Sequence, residues 1–126
     1  GSTSTGHDIL SKAGAVNVAS SVLEEHFVAK MEQVVNWNPG AIVMWYSKNM
    51  DPADFYSDPQ WKTVEAVKNQ RVYELPQFFF CDLWTLKYHY SIKAVAKWLY
   101  PDSFADLDLE KERKTMIEKY YGKGLE

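Results

Sequence analysis

A continuous apolar run, Ala41-Ile42-Val43-Met44-Trp45-Tyr46, follows the turn pair Pro39-Gly40. It shows no alternation of apolar with polar residues, so it reads as a parallel strand covered on both faces rather than a half-exposed one. Such a strand needs helices on either side, and the rest of the chain has to supply them. A second, shorter strand is predicted at Arg71-Val72-Tyr73-Glu74-Leu75, stopped by Pro76. Between the two lies a loop from Lys48 to Ser57, then a helix that Pro59 opens and that runs to about Val67, then a turn at Asn69-Gln70.

Helical spacing dominates elsewhere. A first helix is expected over His7–Ala13, capped by Thr5 or Gly6 and ended by Gly14, with Ile9 and Leu10 inward. A second spans about Lys30–Asn36, with Met31, Val34 and Val35 on one face and Asn38-Pro39 as its stop. The longest runs from Leu83 to Tyr100, with Asp82 as N-cap and Trp84, Tyr88, Ile92, Val95, Ala96 and Leu99 forming its stripe. A last helix opens at Asp106 or Asp108, buries Leu109, Met116, Ile117 and Tyr120, and ends at Gly122. The fold class is therefore α/β: a small, mostly parallel sheet flanked by helices, with a long amphipathic helix near the C-terminus. Two strands make a thin sheet. A third has to come from Val16–Ala19, from Val22–Val28, or from outside these residues.

With 126 residues one core is expected. A formal net charge of -3 leaves no basic surplus for phosphates, so no nucleic-acid partner is expected. Cys81 is the only cysteine, which excludes an intrachain disulfide and a cysteine-rich metal site, and no histidine is placed to activate it as a nucleophile. No Gly-rich phosphate loop, nucleophile elbow or paired-carboxylate motif is present, so the chain reads as a non-enzyme with no intrinsic cofactor or metal. Gly1-Ser2 and Leu125-Glu126 read as cloning residues. Aromatic residues make up 15%, more than a small core easily hides, so rings are expected on a working surface. The loop Phe78-Phe79-Phe80-Cys81-Asp82-Leu83-Trp84 lies where a strand hands over to a helix, the place where ligands meet open α/β sheets.

In order and spacing the motifs resemble the carboxy-terminal lobe of the class III periplasmic substrate-binding proteins, the receptors of iron-siderophore, haem and cobalamin ABC importers. The resemblance rests on Gly6–Leu10 with Ala13-Gly14-Ala15-Val16-Asn17-Val18-Ala19, on Glu32-Gln33-Val34-Val35-Asn36-Trp37-Asn38-Pro39, on Asp58-Pro59-Gln60-Trp61, on Ala66-Val67-Lys68-Asn69-Gln70-Arg71-Val72-Tyr73 and on Trp98-Leu99-Tyr100-Pro101-Asp102-Ser103-Phe104. It implies an extracytoplasmic, two-lobed receptor of which residues 1–126 are a single lobe, with the amino-terminal lobe and linking helix absent. It implies three partners: the missing lobe, an ABC permease, and a small metal complex, of iron or cobalt, or a related anionic complex.

The resemblance makes Glu32 the carboxylate that docks to permease arginines, although Lys30 stands where the family often has a serine cap. A carboxylate there is also explained by the helix dipole alone. The candidate ligand contacts are His26, Phe27, Tyr46, Asn49, Phe79, Phe80, Asp82 and Trp84. Some have a plainer alternative: His26 as an idle loop histidine, part of the Phe triplet as core, Asp82 as a helix cap. A stand-alone protein-interaction module with an aromatic binding edge is the alternative function.

Overall fold

The computed structural model describes residues 1–77 and 84–125. Six α-helices and two strands follow in the order α1 (Thr5–Lys12), α2 (Met31–Trp37), β1 (Ile42–Met44), α3 (Pro52–Ser57), a 3-10 turn (Pro59–Trp61), α4 (Glu65–Lys68), β2 (Val72–Glu74), α5 (Tyr88–Leu99) and α6 (Leu109–Tyr121). The strands pair in parallel, Ile42 with Val72 and Met44 with Glu74.

Successive strand residues face opposite layers. Val43 packs into a core built by Ile9 and Ala13 of α1, Leu75, Ala94 and Val95 of α5, and Met116 and Ile117 of α6. Ile42 and Met44 turn the other way, onto Phe55 of α3, Val64, Ala66 and Val67, with Met31 and Val34 of α2 beside them. The middle of the apolar run, Ile42–Met44, is thus a strand with a helical layer on each face, while Ala41, Trp45 and Tyr46 fall outside it and Trp45 is exposed. Across the sheet Tyr73 stacks on Trp98 at 5.2 Å between ring centroids. In the second layer Phe55 meets Trp61 edge-on at 4.6 Å.

Several boundaries differ from the sequence expectation. α1 starts two residues early because the Ser4 hydroxyl accepts from the His7 N–H at 3.1 Å and caps it. The stretch before Ser57, expected to be loop, holds α3, whose Asp51 cap accepts from the Ala53 N–H at 2.7 Å ahead of Pro52. The long helix expected after Pro59 is instead a 3-10 turn and the short α4, because Val64 takes an extended ψ of 130° to bury its side chain completely. Val35, assigned inward, is exposed. Neither Val16–Ala19 nor Val22–Val28 is a strand. α5 begins only at Tyr88, with Lys87 at its cap position; Asp82, the expected cap, lies outside the described residues. α6 agrees closely: Asp108 caps it through bonds from the Glu110 and Lys111 N–H groups, and Gly122 ends it at a φ of 93°.

α1 is fastened to α5 by a hydrogen bond from the Tyr88 hydroxyl to the Asp8 carboxylate, which also pairs with Lys12. Burial, and then the bond to Asp8, push the Tyr88 phenol up from 10.0 to about 12. Its bonds to Lys12 and Tyr88 hold the Asp8 carboxyl below its ordinary value. A raised folded-state value means that this part of the stability is complete below pH 10.0 and is lost as pH rises through about 12. The Asp8 part has the opposite sense, present above the ordinary carboxylate value and lost as pH falls through the lowered one. We expect a late step in phenolate absorbance, at about pH 12, from Tyr88. Tyr88→Phe should remove that late step and the stability loss tied to it; an unaltered titration would show that the Asp8 bond does not form.

Candidate functional site

The parallel pairing brings the carboxyl ends of β1 and β2 to one edge. There the Ser47 N–H donates to Glu74 Oε1 at 2.9 Å, a bond across the two strand exits, and the Ser47 hydroxyl accepts from the Asn49 N–H at 3.2 Å. These bonds fix the turn that carries Tyr46, half-buried, and Asn49, exposed, at the top of the sheet. The edge therefore presents a phenol ring and an amide on a backbone held at two points. Glu74 was missed in the sequence because it reads as one more strand residue; a carboxylate near the end of a strand, two residues before Pro76, was the available signal.

The remaining candidates are not gathered at this edge by any contact among the described residues. Phe79, Phe80 and Asp82 lie outside the described residues. Trp84, assigned to the inward stripe of the long helix, is 89% exposed and sits in the turn that precedes α5. His26 has its side chain 92% exposed and lies 3.7 Å from Glu25. Phe27 packs edge-on against Trp37 at 6.1 Å. Trp37 ends α2 and lines a cavity at the amino end of β1. Among the described residues no hydrogen bond or ring contact joins His26 or Phe27 to Tyr46 or Asn49, so the structure does not bring the two halves of the expected ligand set into contact.

Glu32 is exposed in the first turn of α2. α2 starts after Lys30, whose N–H donates to Gln33 Oε1 at 2.9 Å, half of a capping box. Glu32 is left unengaged by the capping. Among the described residues no group of three or more His, Cys, Asp or Glu could hold a metal ion, and no helix is long and apolar enough to cross a membrane.

The chain is similar to known proteins over nearly all its length. It is 28% identical over 115 residues, 90% of this chain, to the molybdate-binding protein MolA of Haemophilus influenzae, of which it covers 33%. CeuE of Helicobacter pylori, solved in a nickel–histidine complex, superposes with a TM-score of 0.79 at 26% identity, over 91% of this chain and 37% of that one. The periplasmic solute-binding protein of Veillonella parvula shares the fold with a TM-score of 0.86 at 24% identity, over 100% of this chain and 40% of the other. The chain thus spans between a third and two-fifths of the length of these proteins. Residues 1–78 match the family model described as "periplasmic binding protein". Because that match takes in more than half of the chain, and the fold agrees with it, the chain belongs to the periplasmic binding protein family, whose members work outside the cytoplasmic membrane.

Proposed function

We propose that the chain is the carboxy-terminal lobe of a two-lobed solute receptor of an ABC-type importer, and that the amino-terminal lobe and the helix linking the two belong to polypeptide outside these 126 residues. In this reading the carboxyl edge of the sheet is one jaw of a cleft. The observation that carries it is the joined exit of the two parallel strands, where the Ser47–Glu74 bond holds Tyr46 and Asn49 at the place where ligands meet α/β sheets. Phe79, Phe80 and Asp82, which lie outside the described residues, and Trp84 are ligand contacts in this reading by their place in the sequence. His26, whose side chain is exposed, and Phe27 are further ligand contacts in this reading. Glu32 is the docking carboxylate for the permease.

The ligand we assign is a small metal complex or a related metal-containing anion. MolA is named for molybdate and CeuE was solved with nickel and histidine, so this class runs from oxyanions and small chelates to iron-siderophore, haem or cobalamin-like complexes. Rings, an amide and an imidazole suit all of these, by stacking, by hydrogen bonding to anionic oxygen, or by filling an open coordination site. Capture by closure of two lobes requires no covalent step, and none of the candidate residues forms a nucleophile–base pair. Tryptophan fluorescence of the complete two-lobed receptor, titrated with molybdate, nickel–histidine, a ferric siderophore, haem and cobalamin, tests the reading. One of them should give a saturable change; silence with all five would overturn it.

A further inference from the structure

The carboxyl edge of the sheet carries a charge that its hydrogen bonding does not absorb. Glu74 is the last residue of β2 and stands opposite Met44 in the ladder. Side chains alternate along a strand, so while Tyr73 stacks on Trp98 on one face, Glu74 goes to the other and reaches the exit of β1. There Oε1 accepts from the Ser47 N–H at 2.9 Å. Among the described residues the second oxygen accepts nothing, and Glu74 makes no ion pair. No buried side-chain oxygen among them lacks a partner, so Oε2 is open to solvent although the residue is half-buried. The edge therefore presents a carboxylate that is fixed at one oxygen by a neutral amide and free at the other.

Its neighbours do not offset the charge. Tyr46 supplies a phenol and Asn49 an amide, both uncharged. Lys48, in the same turn, is exposed and pairs with nothing among the described residues, so water and salt screen its ammonium more than they screen a half-buried group. The ligand contacts assigned above add one carboxylate, Asp82, and one imidazole, His26, but no lysine or arginine. An oxyanion brought to this edge meets a like charge, and the repulsion grows as closure of the cleft removes water. A cation is drawn by the same field. One carboxylate does not make a metal site, and no group of three or more His, Cys, Asp or Glu among the described residues could hold a metal ion. A single free oxygen suits instead an N–H or O–H on a coordinated amine or water, in a charge-assisted hydrogen bond.

We propose that Glu74 sets the charge specificity of this jaw: it selects a metal complex of net positive charge whose coordinated groups present N–H or O–H donors, and it turns oxyanions away. The assignment rests on the reading of the carboxyl edge as one jaw of the cleft, and it narrows the ligand class given there to its cationic members. Positioning and selection are separable. The Ser47 N–H needs only an oxygen acceptor, which a glutamine also offers, whereas selection needs the charge.

Titration calorimetry of the complete two-lobed receptor with the cationic one-to-one nickel–histidine complex and with molybdate tests this, on the wild type and on Glu74→Gln. The wild type should prefer the cation by at least about tenfold. Glu74→Gln should cut that preference at least about tenfold, through weaker nickel–histidine binding and stronger molybdate binding, and should unfold at the wild-type urea midpoint. Tighter binding by the wild type of any species without net positive charge, molybdate or haem among them, would overturn the proposal. So would a larger change of preference in Lys48→Met than in Glu74→Gln, which moves selection to the lysine. The two readings fail differently: silence with every species removes the cleft itself, while binding with the same preference in Glu74→Gln removes only the role of Glu74.

Discussion

Replacing Leu75 with alanine is expected to lower the unfolding free energy by about 2–5 kcal/mol. Leu75 is only 2% exposed, and it follows β2 directly, with its N–H on the Met44 carbonyl. Its side chain belongs to the core that α1, α5 and α6 share. Truncation would therefore leave a cavity where three helices and the sheet converge, and backbone hydrogen bonding limits how far the strand can move to refill it. Against a total of roughly 5–15 kcal/mol for a domain, such a loss is a large share. Urea unfolding of the variant should show a lower midpoint with an unchanged slope. Val35→Ala, on the exposed side of α2, should stay within about 0.5 kcal/mol. A Leu75→Ala cost as small as that of Val35→Ala would mean that the core does not close around β2.

The second large effect concerns docking and follows from the proposed role of Glu32. Glu32→Arg in the complete receptor should leave ligand affinity unchanged and reduce ligand-dependent stimulation of the transporter's ATPase by at least about tenfold, because an attractive pair becomes a like-charge contact at an interface where such contacts cost several kcal/mol. The alternative, in which Glu32 serves only the dipole of α2, predicts something else: a stability loss of a few tenths to about 1 kcal/mol and normal stimulation. Measuring stability, affinity and stimulation on the same variant separates the two. Full stimulation by Glu32→Arg would remove Glu32 from the docking surface.

Much of the architecture could be read from the chain, and the reasons are local. β1 is legible because an apolar run with no polar face has few places to go. α6 is legible because Asp108 and Gly122 mark its ends with caps that act within one turn. What could not be read depends on competition between local preference and burial. The 3-10 turn and α4 replace one helix because Val64 gains more by being fully buried from an extended backbone than by continuing a helix. α3 carries the same Asp-Pro signal as the turn after it, Asp51-Pro52 before Asp58-Pro59, and was lost only because a six-residue helix between two such pairs looks like loop.

The position of Tyr46 and Asn49 at the exit of β1, beside the exit of β2, was legible, since strand ends in a parallel pair share an edge. Trp84 was misplaced: helical spacing from Tyr88 onward extends by arithmetic to position 84, but the helix does not extend with it. The bond made by Glu74 and the cavity at the amino end of β1 were not legible. One is made across 27 residues, from Ser47. The other is a space, and pattern reading reports side chains rather than the room between them.

The most direct test of the account is the affinity of the complete receptor with its carboxyl-edge corner removed. For whichever metal species the wild-type receptor binds, the double variant Tyr46→Ala and Asn49→Ala should bind at least about tenfold more weakly, a loss of about 1.4 kcal/mol or more. It should unfold at the wild-type urea midpoint, since Asn49 is exposed and Tyr46 lies outside both core clusters. Wild-type affinity in that variant would contradict the claim that this edge of the sheet is a jaw of the cleft.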